Sequence, residues 1–306
     1  MSNEKALMYE AATLYYDKKL TQQEIADRMK LSRQTVSKLL SDALRENIVE
    51  IKIHNPEENR EELEKKICKV FGIENCVVCS VGSEDNAIRR LMTVKAAVQY
   101  ILPIIAQGGQ KIALSWGRTI QAFIDLLPDT ATDGNTVFPL FGATDHENAY
   151  FSSNELARAL ADKIGARLRC AWFPYRTDCK EDCNLLKKLS YYKKMQDLWG
   201  SADLVILGIG NTETLDNLES TFGYSEKHSQ VIGDIATHFF DENGQLVHLY
   251  DNTLCAHESD IRNAKETVAI ACGKEKAEAI VGALRTNMIK TLITDEYTAK
   301  QVLEHT

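Results

Sequence analysis

Long hydrophobic runs are missing from this chain of 306 residues. The longest apolar segment, 96–106, is interrupted by Gln99 and Pro103 and is too short to span a bilayer. The first residues, MSNEKALMYEAATLYYDKK, carry acidic side chains early and contain no apolar core of a secretory signal. The sequence therefore predicts a cytoplasmic protein that does not associate with a membrane.

Disulfide, metal and nucleotide motifs also have little support, although the chain has eight cysteines. Cys76 and Cys79 have CxxC spacing, but CVVCSV predicts a buried strand that points the two thiols to opposite faces. Cys179 and Cys183 lie in a polar stretch without a nearby histidine. No G-x-G-x-x-G opens a helix after the first strand, and no Walker A motif occurs. We therefore predict reduced thiols, no metal site and no cofactor.

The chain also has no excess of positive charge, since its formal net charge is −8. The charge is unevenly distributed along the chain. Residues 1–55 contain nine Lys and Arg and eight Asp and Glu, so they carry +1 and residues 56–306 carry −9. A basic face on a small N-terminal domain is therefore compatible with an acidic total.

The first 55 residues predict three helices and a strand. Residues 4–17 have apolar side chains at helical spacing, Thr21-Gln22-Gln23-Glu24 is a capping box, and Ser32 caps a third helix that ends near 46. The alternating residues 48–53, IVEIKI, predict a wing strand. The string TQQEIADRMKLSRQTVSKLL is typical of a helix-turn-helix, so residues 1–55 are predicted to be a winged helix-turn-helix DNA-binding domain.

The beginning of the third helix is expected to enter the major groove of DNA, where arginine can pair with guanine and glutamine with adenine. Thr21, Gln22 and Lys38 are better placed to contact phosphates, which fix the register without reading the sequence. The alternative is a three-helix bundle with a solvated polar face. The predicted DNA-binding residues are Thr21, Gln22, Ser32, Arg33, Gln34, Thr35, Ser37 and Lys38.

Residues 56–306 predict an α/β domain that follows a charged linker helix over 57–71. Apolar segments and helical segments then alternate, which predicts a largely parallel sheet with helices on both faces. The predicted strands are 75–81, 110–116, 135–142, 166–174, 203–210, 267–273 and 289–295. The predicted helices are 84–107, 118–127, 153–164, 184–200, 274–286 and 296–304.

Small residues cluster where three of these strands are predicted to end, in 115–119, 208–211 and 273–276. Open α/β sheets bind ligands at the carboxyl ends of their strands, and helix N-termini there bind phosphate. We expect the amides of residues 117–119, the Arg118 guanidinium and the Thr119 hydroxyl to hold a phosphate. Lys276 and Asp295 are expected at the same edge. Structural turns or surface ion pairs are the alternative at each position.

The combination resembles the SorC family of sugar-responsive bacterial regulators, which is related to the deoxyribonucleoside and central glycolytic regulators. The resemblance covers essentially the full length and lies in the helix-turn-helix and in IALSWGRTI, NELARALADKIGA, DLVILGIGN, VIGDIATHFFDENGQ and AIACGKEKAEAIVGALRTNMIKTLITDEYTA. It implies a domain similar to glucosamine-6-phosphate deaminase and ribose-5-phosphate isomerase. It also implies a phosphorylated sugar as effector and a homo-oligomer, usually a tetramer, on operator DNA.

The resemblance also implies roles for individual residues. Phe141 stands where deoxyribose-phosphate-sensing relatives present a lysine able to form a Schiff base, so covalent sensing is not implied here. Ala143 replaces a second glycine, and Ala271-Cys272-Gly273 departs from the commoner A-G-G. The implied effector-binding residues are Ser115, Trp116, Gly117, Arg118 and Thr119 of a phosphate loop, Gly142, Ala143 and Asn154 of a second loop, Gly208 and Gly210 as the floor, Asp234 as an acceptor from sugar hydroxyls, and Lys276 as a cation.

Two other functions are left open by the residues. A phosphosugar isomerase or deaminase needs an acid and a base near the sugar, but Gly210 is followed by Asn211-Thr212-Glu213-Thr214 rather than Asp-Gly-His. An enzyme would also have no use for residues 1–55. Alternatively, the large domain of a DNA-binding protein serves only to form oligomers. The sequence as a whole predicts a transcriptional regulator of carbohydrate metabolism that is not an enzyme.

Overall fold

The computed structural model describes residues 3–49, 56–83, 85–144, 152–211 and 229–306. The chain separates into two compact units, Met1–Asn55 and Pro56–Thr306. The division falls at the Asn55-Pro56 step, the position at which the sequence predicts the end of the first domain. Among the described residues, no helix is both long enough and apolar enough to cross a bilayer.

The small unit is built from three helices around its own apolar cluster, which includes Met8, Ile25 and Val36. Its helices are α1 (Asn3–Ala12), extended by a π-helical turn over Thr13–Asp17, α2 (Gln22–Met29) and α3 (Arg33–Arg45). Helix α2 begins with the predicted capping box and ends at Lys30, whose φ of 56° starts the tight turn into α3. The predicted helix-turn-helix is therefore present.

The predicted wing lies mostly outside the described residues. Of the strand expected over 48–53, the structure describes Ile48 and Val49, and both lie in a bend rather than a strand. Their side chains pack against the apolar cluster of the small unit, which explains their hydrophobic character without a sheet.

The large unit contains a seven-stranded sheet in the order β1-β11-β10-β5-β2-β3-β4, and every strand pair in it is parallel. Its strands are β1 (Asn75–Cys79), β2 (Lys111–Leu114), β3 (Thr136–Pro139), β4 (Arg167–Leu168), β5 (Leu204–Gly208), β10 (Glu266–Ile270) and β11 (Thr291–Asp295). The central strands read as continuous apolar runs because helices cover both faces of the sheet. The predicted α/β fold is thus confirmed.

Apart from a short helix over Glu258–Asn263, which was not predicted, the helices of the large unit follow the alternation in the sequence. They are α4 (Pro56–Phe71), α5 (Asn86–Ala106), α6 (Arg118–Leu126), α7 (Ser153–Ile164), α8 (Lys180–Lys188), α9 (Ser190–Trp199), α10 (Glu258–Asn263), α11 (Ala277–Arg285) and α12 (Glu296–Glu304). The helix predicted over 184–200 is two helices, because Leu189 between them adopts extended φ and ψ of −64° and 139°. The helix predicted over 274–286 begins with a separate 3-10 turn at Lys274–Lys276.

A second, antiparallel sheet was not predicted. Its order is β6-β7-β8-β9, and its strands are β6 (Gly210–Asn211), β7 (Gly233–Ile235), β8 (His238–Phe240) and β9 (Leu246–Val247). Strands of two or three residues are too short to produce a periodic apolar pattern. The strand predicted over 166–174 is similarly reduced to the two residues of β4, and the segment after it forms isolated bridges at Pro174 and Arg176.

Candidate functional site

Three predicted ligand loops meet at one edge of the seven-stranded sheet. Strands β10, β5 and β2 are neighbours and run parallel, so their carboxyl ends lie side by side. Residues 115–119 follow β2, residues 209–211 follow β5, and residues 271–276 follow β10. The sheet order therefore brings together segments that are far apart in sequence, in the arrangement expected for a ligand site in this fold class.

The loop after β2 presents the beginning of a helix. Gly117 precedes α6 with a φ of 112°, and a Cβ atom at this position would meet nothing within 4 Å. Amides in the first turn of a helix have no acceptor within it, so the start of α6 carries a partial positive charge. Thr119 is half-buried and Arg118 is exposed. The start of α6 therefore carries amide, hydroxyl and guanidinium groups of the kinds that bind an oxyanion.

Ser115 and Trp116 hold this loop in place. Ser115 is buried, and its Oγ accepts a hydrogen bond of 3.1 Å from the amide of Gly208, which joins the loops after β2 and β5. The buried Trp116 ring lies 4.9 Å from the ring of Phe141 and 6.5 Å from that of Tyr175, centroid to centroid. Both side chains shape the walls of the site.

Lys276 reaches from the loop after β10 toward the loop after β5. Its Nζ donates a hydrogen bond of 2.7 Å to the carbonyl of Ile209. Burial lowers the pKa of Lys276, while Cys272 and the carboxylate of Asp234 oppose that shift and Arg118 adds to it. Glu275 also opposes the shift, so two cationic side chains and two carboxylates interact at this edge of the sheet.

Asp234 is the buried carboxyl group of the site, with 3% of its surface exposed. It lies opposite Gly210 in the antiparallel pair of β6 and β7. Its Oδ2 accepts from the amide of Thr237 at 3.3 Å, whereas its Oδ1 has no hydrogen-bond partner within the described ranges. Burial raises the pKa of Asp234 to about 6, although the Thr237 amide and the charge of Lys276 oppose the rise. A buried carboxyl oxygen without a donor is suited to accept from a ligand hydroxyl.

The hairpin turn after Asp234 is strained. Ala236 and Thr237 have φ values of 48° and 72°, in the left-handed region that side chains rarely adopt. A β-branched residue such as threonine is especially unfavourable there. Strain of this kind costs about 1–3 kcal/mol for each residue and is concentrated at ligand-binding and switch regions.

The ligand-binding groups expected of the second loop are engaged within the protein. The amides of Gly142 and Ala143 donate to backbone carbonyls of neighbouring segments at 3.0 and 2.8 Å. The side-chain amide of Asn154 donates to the carbonyl of Ala171 and accepts from its amide, at 3.1 and 2.9 Å. These hydrogen bonds occupy groups that a phosphate would use, and the role of Gly142, Ala143 and Asn154 in effector binding stays a prediction.

Asp295 lies at the expected edge but serves as a helix cap. Its carboxylate accepts from the amides of Tyr297 and Thr298, at 3.0 and 3.1 Å, at the beginning of α12. The Thr298 hydroxyl in turn accepts from the amide of Gly273 at 2.8 Å. Asp295 therefore positions the loop that carries Lys276, and its oxygens are already in use.

In the small unit, the side chains predicted to read DNA are exposed at the surface of α3. They are Arg33, Gln34, Ser37 and Lys38. These cationic and amide groups form an exposed row over the first two turns of α3, which is the second helix of the helix-turn-helix. Such helices enter the major groove with the residues of this end.

Other predicted DNA contacts act as helix caps. The Thr21 hydroxyl accepts from the Glu24 amide at 3.3 Å, and the Ser32 hydroxyl accepts from the Thr35 amide at 3.1 Å. The hydroxyls of Ser32 and Thr35 are 2.7 Å apart. Since these side chains remain exposed, capping does not prevent a further contact with phosphate.

Residues that the sequence did not single out also belong to these sites. Thr237 supports the Asp234 carboxyl group, and Tyr175 packs against Trp116. Thr237 lies within the motif IGDIATHFF, but only its contact with Asp234 in the folded structure identifies its role. All eight cysteines are free thiols. No three or more His, Cys, Asp or Glu side chains in the described part of the chain are grouped to hold a metal ion.

Comparison with known proteins places this geometry in a family. A family model described as "Putative sugar-binding domain" matches residues 55–304, and a model of sigma-70 region 4 matches residues 12–46. The chain is 28% identical to the sorbitol operon regulator of Klebsiella pneumoniae over 99% of both chains. It is 26% identical to the deoxyribonucleoside regulator of Bacillus subtilis, again over 99% of both. The crystal structure of the full-length Klebsiella regulator SorC has a TM-score of 0.74 at 27% identity and covers 99% of this chain and 100% of that one.

The chain belongs to the SorC family. The first domain of this SorC-family protein is the helix-turn-helix, and its second is the sugar-binding domain. It is a DNA-binding transcriptional regulator and not an enzyme, since relatives that align along almost the whole of both chains are regulators. The predicted likeness to a deaminase and an isomerase stays a prediction.

Proposed function

We propose that this SorC-family regulator binds a phosphorylated sugar at the edge formed by the ends of β2, β5 and β10. The start of α6, with Arg118 and Thr119, holds the phosphate. Lys276 supplies a further positive charge, and Asp234 accepts from the sugar hydroxyls. Gly208 and Gly210 form the floor between them.

The observation that carries this proposal is the buried Oδ1 of Asp234, which has no hydrogen-bond donor among the described residues, together with the interaction of this carboxyl group with Lys276. At the start of α6, no atom crowds Gly117. A phosphate alone would be repelled by this carboxylate, whereas a sugar phosphate can occupy both ends of the site. The anionic group lies over the helix N-terminus, and hydroxyls donate to the carboxyl group. The relatives named for sorbitol and deoxyribonucleosides are consistent with a carbohydrate-derived effector.

The small domain, residues 1–55, is proposed to bind operator DNA through α3. Arg33 and Gln34 contact base edges, while Thr21, Gln22 and Lys38 contact phosphates. Ser32, Thr35 and Ser37 complete this surface. We further propose that residues 56–306 form a homotetramer and that the effector changes operator affinity by a coupling free energy of about 1–3 kcal/mol.

The deciding experiment measures binding of the full-length protein to the DNA upstream of its own gene, by fluorescence anisotropy, with and without a panel of sugar phosphates. One member of the panel should change the affinity. The same titration is repeated with Lys276→Met, Arg118→Ala and the control Lys274→Met, which removes an exposed lysine from the same turn. DNA binding without effector should be equal in all four proteins.

The response to the effector should be lost in Lys276→Met and Arg118→Ala and kept in Lys274→Met. An unchanged response in the first two variants would show that the phosphate binds elsewhere. If no sugar phosphate alters DNA binding or thermal stability, the large domain serves assembly alone. Calorimetry with each variant separates loss of binding from loss of coupling.

A further inference from the structure

A second cavity lies beside the β7–β8 hairpin. It is lined by none of the residues proposed to contact the phosphosugar, although Thr237 and Tyr175, which support that site, form part of its wall. Its volume is about 240 Å³. The walls come from β8, β9, the segment after β9, one face of α9, the end of α8 and the beginning of α10, all within the large unit. The hairpin separates the two sites, because Asp234 on β7 belongs to the first while Thr237 and His238 line the second.

The cavity combines aromatic rings with neutral hydrogen-bonding groups. The rings belong to Tyr175, Tyr192 and Tyr250, and polar groups come from Gln196 and His238. His238 Nε2 lies 3.0 Å from the carbonyl of Ala256. Burial lowers the pKa of His238 to about 4, so the imidazole is neutral at pH 7. A ring that donates from Nε2 keeps Nδ1 as an acceptor.

The charges around the cavity do not favour an anion. Among the described residues that line it, Lys187 is the only lysine or arginine, whereas Asp251 and Glu258 are acidic. Asp251 is paired with Lys180 at 3.1 Å, outside the cavity wall. Glu258 has a pKa below its usual range, because hydrogen bonds and nearby histidines outweigh its partial burial, so it is ionised at neutral pH. A dianionic phosphate would find no balancing set of cations here.

We propose that this cavity binds an uncharged polyhydroxylated molecule of about monosaccharide size, at a site distinct from that of the phosphorylated effector. The volume is below the range of roughly 300–1,000 Å³ that is usual for drug-sized ligands. Tyrosine side chains in the wall contact the C–H groups of such a molecule. Its hydroxyls donate to the Glu258 carboxylate and to His238 and accept from Gln196, which satisfies many polar groups in a small volume.

The test uses the full-length protein and saturation-transfer difference NMR, which detects weak ligands, with D-glucose, D-ribose and D-glucitol as probes. At least one probe should bind. Two variants alter the cavity: Val247→Trp fills it from β9, and Glu258→Gln removes an acceptor charge while keeping the shape. Their controls are Val70→Trp and Glu278→Gln, at exposed positions outside the cavity.

Binding of the uncharged probe should weaken at least tenfold in both cavity variants and remain unchanged in both controls. It should also survive in Lys276→Met, which separates this site from the phosphosugar site, so either can fail without the other. Far-ultraviolet circular dichroism checks that each variant is folded. If Val247→Trp does not fold, the binding measured with Glu258→Gln tests the proposal. Absence of binding by all three probes, equal binding to Glu258→Gln, or loss of binding in Lys276→Met would each overturn the proposal.

Discussion

The ionisation of Asp234 should oppose folding of the large domain, and the substitution Asp234→Asn isolates this effect. Burial raises the pKa of this carboxyl group from 3.8 to about 6. The folded state therefore holds the proton more tightly than the unfolded chain. Stability that is fully present below the unfolded pKa is lost as the pH rises through about 6.

The size of the effect follows from the shift. A change of about two pKa units, at 1.36 kcal/mol for each unit, corresponds to about 3 kcal/mol. The free energy of unfolding of the native protein, measured relative to Asp234→Asn, should fall by about this amount between pH 4 and pH 7. It should then stay level. The variant cannot ionise at this position, so its amide sets a constant offset but not the slope.

Urea denaturation followed by tryptophan fluorescence is the suitable assay, because Trp116, Trp172 and Trp199 all lie in the large unit. The measured quantity must be the difference in unfolding free energy between the native protein and Asp234→Asn at each pH, rather than the pH profile of one protein. His238 has a pKa lowered to about 4, so its contribution to the stability of the protein is lost in the opposite direction, as the pH falls. Lys276→Met should move the Asp234 midpoint to higher pH, since the lysine opposes the rise. A difference that does not vary between pH 4 and pH 8 would refute the conclusion that burial raises the pKa of Asp234.

Three further predictions concern the helix ends and the DNA-reading surface. Gly117→Ala should lower the free energy of unfolding by about 1–3 kcal/mol through backbone strain alone, measured by the same denaturation assay. Gly82→Ala, equally free of contacts but without a positive φ, should change it by less than about 0.5 kcal/mol. Equal effects of the two substitutions would contradict the strain argument. Ser32→Ala should weaken α3 by about 1 kcal/mol through loss of its N-cap, seen as faster hydrogen exchange at Thr35 and Val36, and Ser37→Ala should leave the exchange of these amides unchanged. Arg33→Ala should reduce the binding free energy by about 1–3 kcal/mol on operator DNA and by little on random DNA. Lys38→Ala should instead weaken binding to both DNAs alike and reduce its salt dependence. If competition anisotropy shows parallel losses for the two variants, the two side chains do not have separate roles.

The elements that span several turns or five or more apolar residues could be predicted from the sequence. The capping residues Thr21 and Ser32, the apolar stripe of α3 and the apolar segments of β5, β10 and β11 all carry local signals, because capping and burial on both faces of a sheet depend on nearby residues. The three glycine-containing loops could be assigned to one edge for a general reason. In a parallel sheet, all carboxyl ends lie on the same side.

Only the tertiary structure decided which of the candidate groups remain available to a ligand. Asn154, Gly142 and Asp295 have the residue types of ligand contacts, yet their hydrogen-bonding groups are satisfied by backbone segments that are distant in sequence or by a helix end. Asp234 has no local feature that distinguishes it from these residues. Its pairing opposite Gly210, its burial and the lack of a donor to its Oδ1 among the described residues arise from strands of two and three residues. Such short strands are stabilised by packing against the rest of the domain rather than by their own sequence, so their position and the cavity beside them follow from the folded chain as a whole.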